Sequence, residues 1–208
     1  MTKTTEQDAA RHKDKMAKRK AVQDAEVASK TIQKGLLLVH TGKGKGKSTA
    51  AFGLALRMLG RKRGVGVVQF IKGAWSTGER DALEALAKTG IAPLRWYSMG
   101  EGFTWETQDK ERDIAAAKAA WEKVRELLRD ESLGLIVLDE LNIALRYDYL
   151  PLDDVIAELT ARREGLHVVV TGRNAKPQLI EAADLVTEMT LVKHHFEAGV
   201  KAQEGVEF

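Results

Sequence analysis

The chain has 208 residues, 44% of them hydrophobic, with a formal charge of +3 and no cysteine. That length supports one domain with a sizeable core, and the missing thiols exclude disulfides and thiolate metal sites. No apolar run approaches the roughly 20 residues of a membrane span and no apolar h-region opens the chain, so no membrane partner is expected and the cytoplasm is the expected compartment.

The charge is unevenly placed. Residues 1–34 hold nine Lys/Arg against five Asp/Glu, while the remainder is balanced at 24 against 25. Composition thus separates a basic N-terminal arm over 1–34 from a domain over 35–208. In the arm, Arg11, Lys13, Lys15, Lys18, Arg19 and Lys20 lie among strong helix formers, which predicts a solvated helical extension or a helix that meets an anionic ligand. No aromatic residue is interleaved with these charges, which argues against a single-strand stacking platform, and no nucleic-acid partner is expected.

From residue 35 onward, short apolar runs alternate with helical patterns. GLLLVHTG (35–42), VGVVQFIKG (65–73), APLRWYSMG (92–100), LGLIVLDEL (133–141), LHVVVTGR (166–173) and LVTEMTLV (185–192) read as strands. Residues 47–61, 78–89, 108–130, 151–163 and 176–183 carry apolar side chains at helical spacing. This alternation predicts an α/β fold with a mostly parallel central sheet of about six strands and helices on both faces. Ligands of such sheets bind beyond the carboxyl ends of the strands. Those ends collect glycine, lysine, arginine and carboxylate, the composition of a phosphate site.

GKGKGKS (42–48) follows a strand and opens a helix, the setting of a phosphate-binding loop. Its count is unusual: Gly42 and Gly46 have three residues between them rather than four, and Thr41 stands where the first glycine is expected. Lys47 is expected at phosphate oxygens and the Ser48 hydroxyl at a magnesium ion. LIVLDEL supplies the second element, an apolar strand ending in Asp139 and Glu140, carboxylates for that metal. The residues therefore indicate a nucleotide and Mg2+, and leave the reaction open. An ordinary NTPase with Glu140 or Arg173 assisting hydrolysis is one alternative; a nucleotide-gated binding protein is another. MGEGFTWETQD (99–109) points elsewhere, because Phe103 and Trp105 lie in a loop, either capping the sheet or binding a large flat ligand. His194 and His195, read as strand residues, would point to opposite faces and make a poor metal pair.

TGKGKGKSTAAFG, VGVVQFIKGAW with GER, GFTWET, VLDEL with YDYLPL, TGR, and the ending VKHHFEAGVKAQEGVEF together resemble the ATP:corrinoid adenosyltransferases of the CobA/CobO/BtuR type. The resemblance runs from about residue 11 to the C-terminus, and the family's short loop G-x-G-K-G-K-[ST] matches residues 42–48 without adjustment. It implies a P-loop fold of the RecA-like type and transfer of the 5′-deoxyadenosyl group of ATP to the Co(I) of a corrinoid such as cobalamin, with release of triphosphate, in adenosylcobalamin biosynthesis or corrinoid salvage.

The resemblance also implies roles. Thr41, Gly42, Lys43, Gly44, Lys45, Gly46, Lys47, Ser48 and Thr49, with Arg173, form the nucleotide-binding set. Lys47 and Glu140 act in catalysis, and Ser48, Glu140 and Asp139 hold the metal. Phe103 and Trp105 displace the corrinoid's lower axial ligand, easing reduction by an electron-donating flavoprotein. The assembly implied is a homodimer whose N-terminal segment covers the active site. One position departs: after TGR the chain has Pro177 where some members carry a basic residue, so no phosphate or corrinoid contact is carried over there.

Overall fold

The computed structural model describes residues 2–71, 77–99 and 109–207. It divides into two compact units, Met1–Gln33 and Lys34–Phe208. The first is built on one helix, α1 (Thr2–Ala28), polar along its length and carrying the i,i+4 ion pairs Asp14–Lys18 and Lys20–Asp24. Such exposed pairs add only about 0.3–0.5 kcal/mol each.

The second unit is a six-stranded sheet in which every pairing is parallel. In chain order its elements are β1 (Leu37–Thr41), α2 (Lys47–Gly60), β2 (Gly64–Gln69), α3 (Gly78–Lys88), β3 (Leu94–Ser98), α4 (Lys110–Arg129), β4 (Leu133–Asp139), α5 (Leu141–Arg146), α6 (Leu152–Thr160), β5 (His167–Thr171), α7 (Pro177–Ala182), β6 (Leu185–Glu188) and a 3₁₀-helix, His195–Ala198. The strand order is β3-β2-β4-β5-β1-β6. One strand, β5, therefore separates the strand that feeds the glycine loop from the strand that ends in Asp139.

Alternation along each strand sorts side chains into two cores. Leu37, Val39, Ile136, Leu138, Val168 and Val170 pack with Ala120, Trp121, Val124 and Leu127 of α4 and Val155 and Leu159 of α6. Their neighbours Leu38, Leu135, Val137 and Val169 pack with Ala51, Phe52, Ala55 and Leu59 of α2 and with Leu83 of α3. The central strands are buried on both faces, which is why they read as unbroken apolar runs; β4 is buried at all seven positions. At about 1.5–3 kcal/mol for each large side chain buried, these two layers fix the sheet and hence the loops at its carboxyl edge.

Differences from the sequence reading lie at element ends. The strand expected over 133–141 stops at Asp139, Glu140 turns with φ 60°, and α5 follows, a helix the reading did not foresee. Leu141, Ile143, Ala144 and Leu145 resume the apolar run of β4 directly after Asp139 and Glu140, with no glycine or proline between to mark a new element. The strand expected over 185–192 ends at Glu188, so His194 and His195 are not strand residues. His194 instead precedes the 3₁₀-helix, its Nδ1 accepting from the Phe196 N–H at 3.1 Å, and the two imidazoles stack at 4.8 Å. Pro177 opens α7, where its fixed φ suits the first helical turn.

Candidate active site

The glycine loop joins β1 to α2 along a path that side chains would block. Gly42 and Gly46 both have φ 98°, and Gly46 is the residue preceding the helix. A Cβ on Gly42 would fall 2.4 Å from the Met189 carbonyl oxygen, and one on Gly44 would fall 2.6 Å from that of Thr190. The loop is therefore pressed against the segment after β6, to which it is also bonded: Gly44 N–H donates to Met189 O at 2.6 Å, and Met189 N–H to Thr41 O at 2.9 Å. Thr41, the residue in the place of the usual glycine, is buried, and its hydroxyl accepts from the Ala175 N–H at 3.1 Å. The threonine thus ties the start of the loop to the segment after β5.

Lys47 is buried, its ammonium donating to the Gly44 carbonyl within the loop. Burial pushes its pKa down; Glu140 opposes this, and Arg173 and Lys45 reinforce it. Lys43, Lys45 and Thr49 are exposed and Ser48 is half-buried at the first turn of α2. Arg173 is exposed and acts electrostatically on both Lys47 and Glu140.

Opposite stands a carboxylate shelf. Asp139, buried at the end of β4, accepts from Thr171 Oγ1 at 2.8 Å and from Gln69 Nε2 at 3.2 Å. Gln69 in turn accepts from Trp96 Nε1 at 3.0 Å and from Ser98 Oγ at 2.8 Å. The in-register ends of β2, β3 and β4 thus form one hydrogen-bonded row. Glu140 has a left-handed backbone held by its N–H donating to Thr171 Oγ1 at 2.9 Å. Its Oε2 is buried and has no hydrogen-bond partner. Burial, helped by Asp139, raises its pKa to about 7, while Lys47 and Arg173 pull the other way. Room for this carboxylate comes from Gly172, with φ 124°, where a Cβ would sit 3.0 Å from Glu140 Oε2. Asn142, fully buried, donates from Nδ2 to Gly172 O at 2.9 Å.

The structure thus brings Lys45, Lys47, Ser48, Asp139, Glu140 and Arg173 to one edge of the sheet. Phe103 and Trp105 lie outside the described residues. Gln69, Asn142, Thr171 and Gly172 were not singled out from sequence; their signal was position alone, at or beside a strand's carboxyl end. A buried unpartnered carboxylate oxygen facing cationic side chains suits a site completed by a cation and a polyanion.

Comparison with known proteins shows the family. The family described as ATP:corrinoid adenosyltransferase BtuR/CobO/CobP matches residues 33–208, and the one described as Cob(I)alamin adenosyltransferase N terminal matches residues 3–27. The chain belongs to the ATP:corrinoid adenosyltransferases. A corrinoid adenosyltransferase of Pseudomonas aeruginosa is 56% identical over 208 residues, all of both chains. One of Salmonella typhimurium is 46% identical, covering 95% of this chain and 98% of its own. Among solved structures, the flagellar accessory protein FlaH of Methanocaldococcus jannaschii superimposes with a TM-score of 0.50 at 14% identity, covering 77% of this chain and 73% of its own, a likeness of fold alone. With its glycine loop at the end of a parallel sheet, the domain is a P-loop fold of the RecA-like type. As a member of the family, the adenosyltransferase uses ATP and a corrinoid as substrates and adenosylates the corrinoid. Among the described residues, no helix is long and apolar enough to cross a membrane.

Proposed function

We propose that this chain catalyses adenosyl transfer by gripping the whole triphosphate as the leaving group. The observation that carries the reading is the charge arrangement: Lys47 buried in the loop with Lys45 beside it, and Lys47 and Arg173 both acting on Glu140, whose Oε2 has no hydrogen-bond partner. Attack by Co(I) on the ribose 5′ carbon breaks the bond to the triphosphate, so negative charge grows on the oxygen that leaves. Lys47, held in place by its own loop, stabilises that charge where it develops. The backbone N–H groups of residues 42–48 and the start of α2 bind the remaining oxygens. No water-orienting base is required.

Ser48, Glu140 and Asp139 fit a magnesium ion, because an orphaned carboxylate oxygen beside a second carboxylate is a site short of positive charge. When bound, the ion would neutralise charge on the triphosphate. Thr171 and Gln69 orient Asp139, and Gly172 leaves space for Glu140.

Phe103 and Trp105 are proposed to displace the corrinoid's lower axial ligand so that an electron-donating flavoprotein can reduce Co(II). The basic arm, residues 1–34, is proposed to close over the bound substrates in a homodimer, excluding water from Co(I). A cytoplasmic location suits an enzyme that consumes ATP. Product analysis tests the central claim. With ATP, magnesium, a reductant and a corrinoid, the expected products are a light-sensitive alkyl-corrinoid and triphosphate in equal amounts. Formation of ADP and phosphate instead would show a hydrolase.

A further inference from the structure

The phosphate loop carries a resident counter-ion that adenosyl transfer does not call for. Glu207 lies next to the last residue of the chain, and its Oε2 pairs with Lys45 Nζ. Its Oε1 stands 3.6 Å from His195 Nε2. The Glu207 side chain is 13% exposed and that of Lys45 is 55% exposed, so the carboxylate is the seated partner and the lysine reaches to it. The tail turns back on itself there, Val206 and Glu207 N–H both donating to Gln203 O at 3.2 and 2.9 Å. The same C-terminal stretch already braces the loop through Met189 and Gly44. Lys45 and His195 together hold the Glu207 carboxyl below the usual carboxylate range, so it is an anion at neutral pH.

A carboxylate and a triphosphate oxygen compete for one ammonium. The reaction sharpens that competition, because the product is more highly charged than the triphosphate arm of ATP: the ester oxygen becomes a further ionisable oxygen. Facing Lys43, Lys45, Lys47 and Arg173, such a polyanion leaves slowly unless the cations are offered another partner. We propose that Glu207 is an internal anion that exchanges with the triphosphate at Lys45, yielding the lysine when nucleotide binds and retaking it as product departs. His195 gives the carboxylate a remaining partner while Lys45 is engaged. This inference rests on the assignment of Lys45 to the triphosphate made above.

The test uses the full-length enzyme with inorganic triphosphate and magnesium as the probe, read as a product-inhibition constant and by calorimetry at low ionic strength. Glu207→Gln, nearly isosteric, removes the competing charge and should tighten triphosphate about two- to fivefold, the range expected of a half-exposed pair. A merely structural tail contact would give the opposite sign. Lys45→Ala should weaken triphosphate, and adding Glu207→Gln to it should change affinity by less than about twofold, because the contested group is gone. Weaker or unchanged binding in Glu207→Gln, alongside weakened binding in Lys45→Ala, overturns the exchange and leaves Lys45 in its role. Unchanged binding in Lys45→Ala overturns that role itself. Thermal melting of each variant confirms that the compared proteins are folded.

Discussion

The phosphate loop and the carboxylate shelf face each other across the carboxyl edge of the sheet, and they are built in opposite ways. The loop is one contiguous stretch, Gly42 to Ser48, in which positive φ at Gly42 and Gly46 and the close approach of Met189 and Thr190 to Gly42 and Gly44 call for glycine, leaving bare N–H groups for an anion. The shelf is assembled from separate strands: Asp139 and Glu140 from the end of β4, Thr171 and Gly172 from β5 and its turn, Gln69 from β2. The loop therefore tolerates change wherever its backbone path survives. The shelf depends on long-range packing at nearly every atom, and it stores unfavourable energy in a buried carboxylate oxygen, Glu140 Oε2, that has no hydrogen-bond partner.

The largest effect expected is on the loop. Lys47→Ala should lower kcat/KM by on the order of a hundredfold or more, because it removes the donor aimed at the leaving oxygen, while leaving the melting temperature near that of wild type. Near-normal turnover would remove Lys47 from the mechanism. Stability then separates the two regions. Gly172→Ala must fit a Cβ 2.9 Å from Asn142 Cβ and 3.0 Å from Glu140 Oε2 at φ 124°. It should cost about 3 kcal/mol, from backbone strain and overpacking together. Gly46→Ala, at φ 98° with only the Met189 sulfur at 3.7 Å, should cost about 1 kcal/mol in the same denaturant titration. Equal costs would mean that Gly172 is no more tightly held than the helix-capping end of the loop at Gly46.

Glu140→Gln sharpens the contrast by moving activity and stability in opposite directions. A carboxyl whose folded pKa is about 7, above its unfolded value, disfavours the folded state once ionised, so stability declines as pH rises from the unfolded pKa through 7. The variant should lose activity yet gain about 1–3 kcal/mol at pH 8 without magnesium, and gain nothing at pH 4. Magnesium should shrink that gain, since it stabilises the wild-type carboxylate alone.

The smallest effect lies away from both regions. Asp184 accepts from Leu37 N–H at 2.8 Å, pairs with Lys34 and lies 3.4 Å from Arg162. These partners, Lys34 first, hold its pKa below the usual carboxylate range. Its contribution is present above the unfolded pKa and lost as pH falls through the folded one. Asp184→Asn should cost about 1 kcal/mol at neutral pH, vanishing under strongly acid conditions, with kcat/KM unchanged. A change in turnover would show that the far end of β1 communicates with the site.

The limits of the sequence reading follow the same division. The strands, five helices of the second unit and the loop were legible because each is written in adjacent residues: two-sided burial gives apolar runs, amphipathic helices give a 3.6-residue period, and a glycine loop gives its spacing. Asp139 and Glu140 were legible as the end of an apolar strand. The family itself was legible from blocks of several residues such as GFTWET and the C-terminal stretch.

Other features belong to no local pattern. Nothing in the order of residues says that the Gln69 amide bridges Asp139 to Trp96 and Ser98, since that row exists only once β2, β3 and β4 pair in register. Nor does it say that Thr41 substitutes for a glycine by bonding Ala175, or that Glu207 reaches Lys45 from 162 positions away. Local conformation is set by sterics and periodicity among neighbours in the chain, and this the sequence carries by itself. The partners of a buried polar atom are chosen by which strands lie side by side, and only the folded sheet makes that choice.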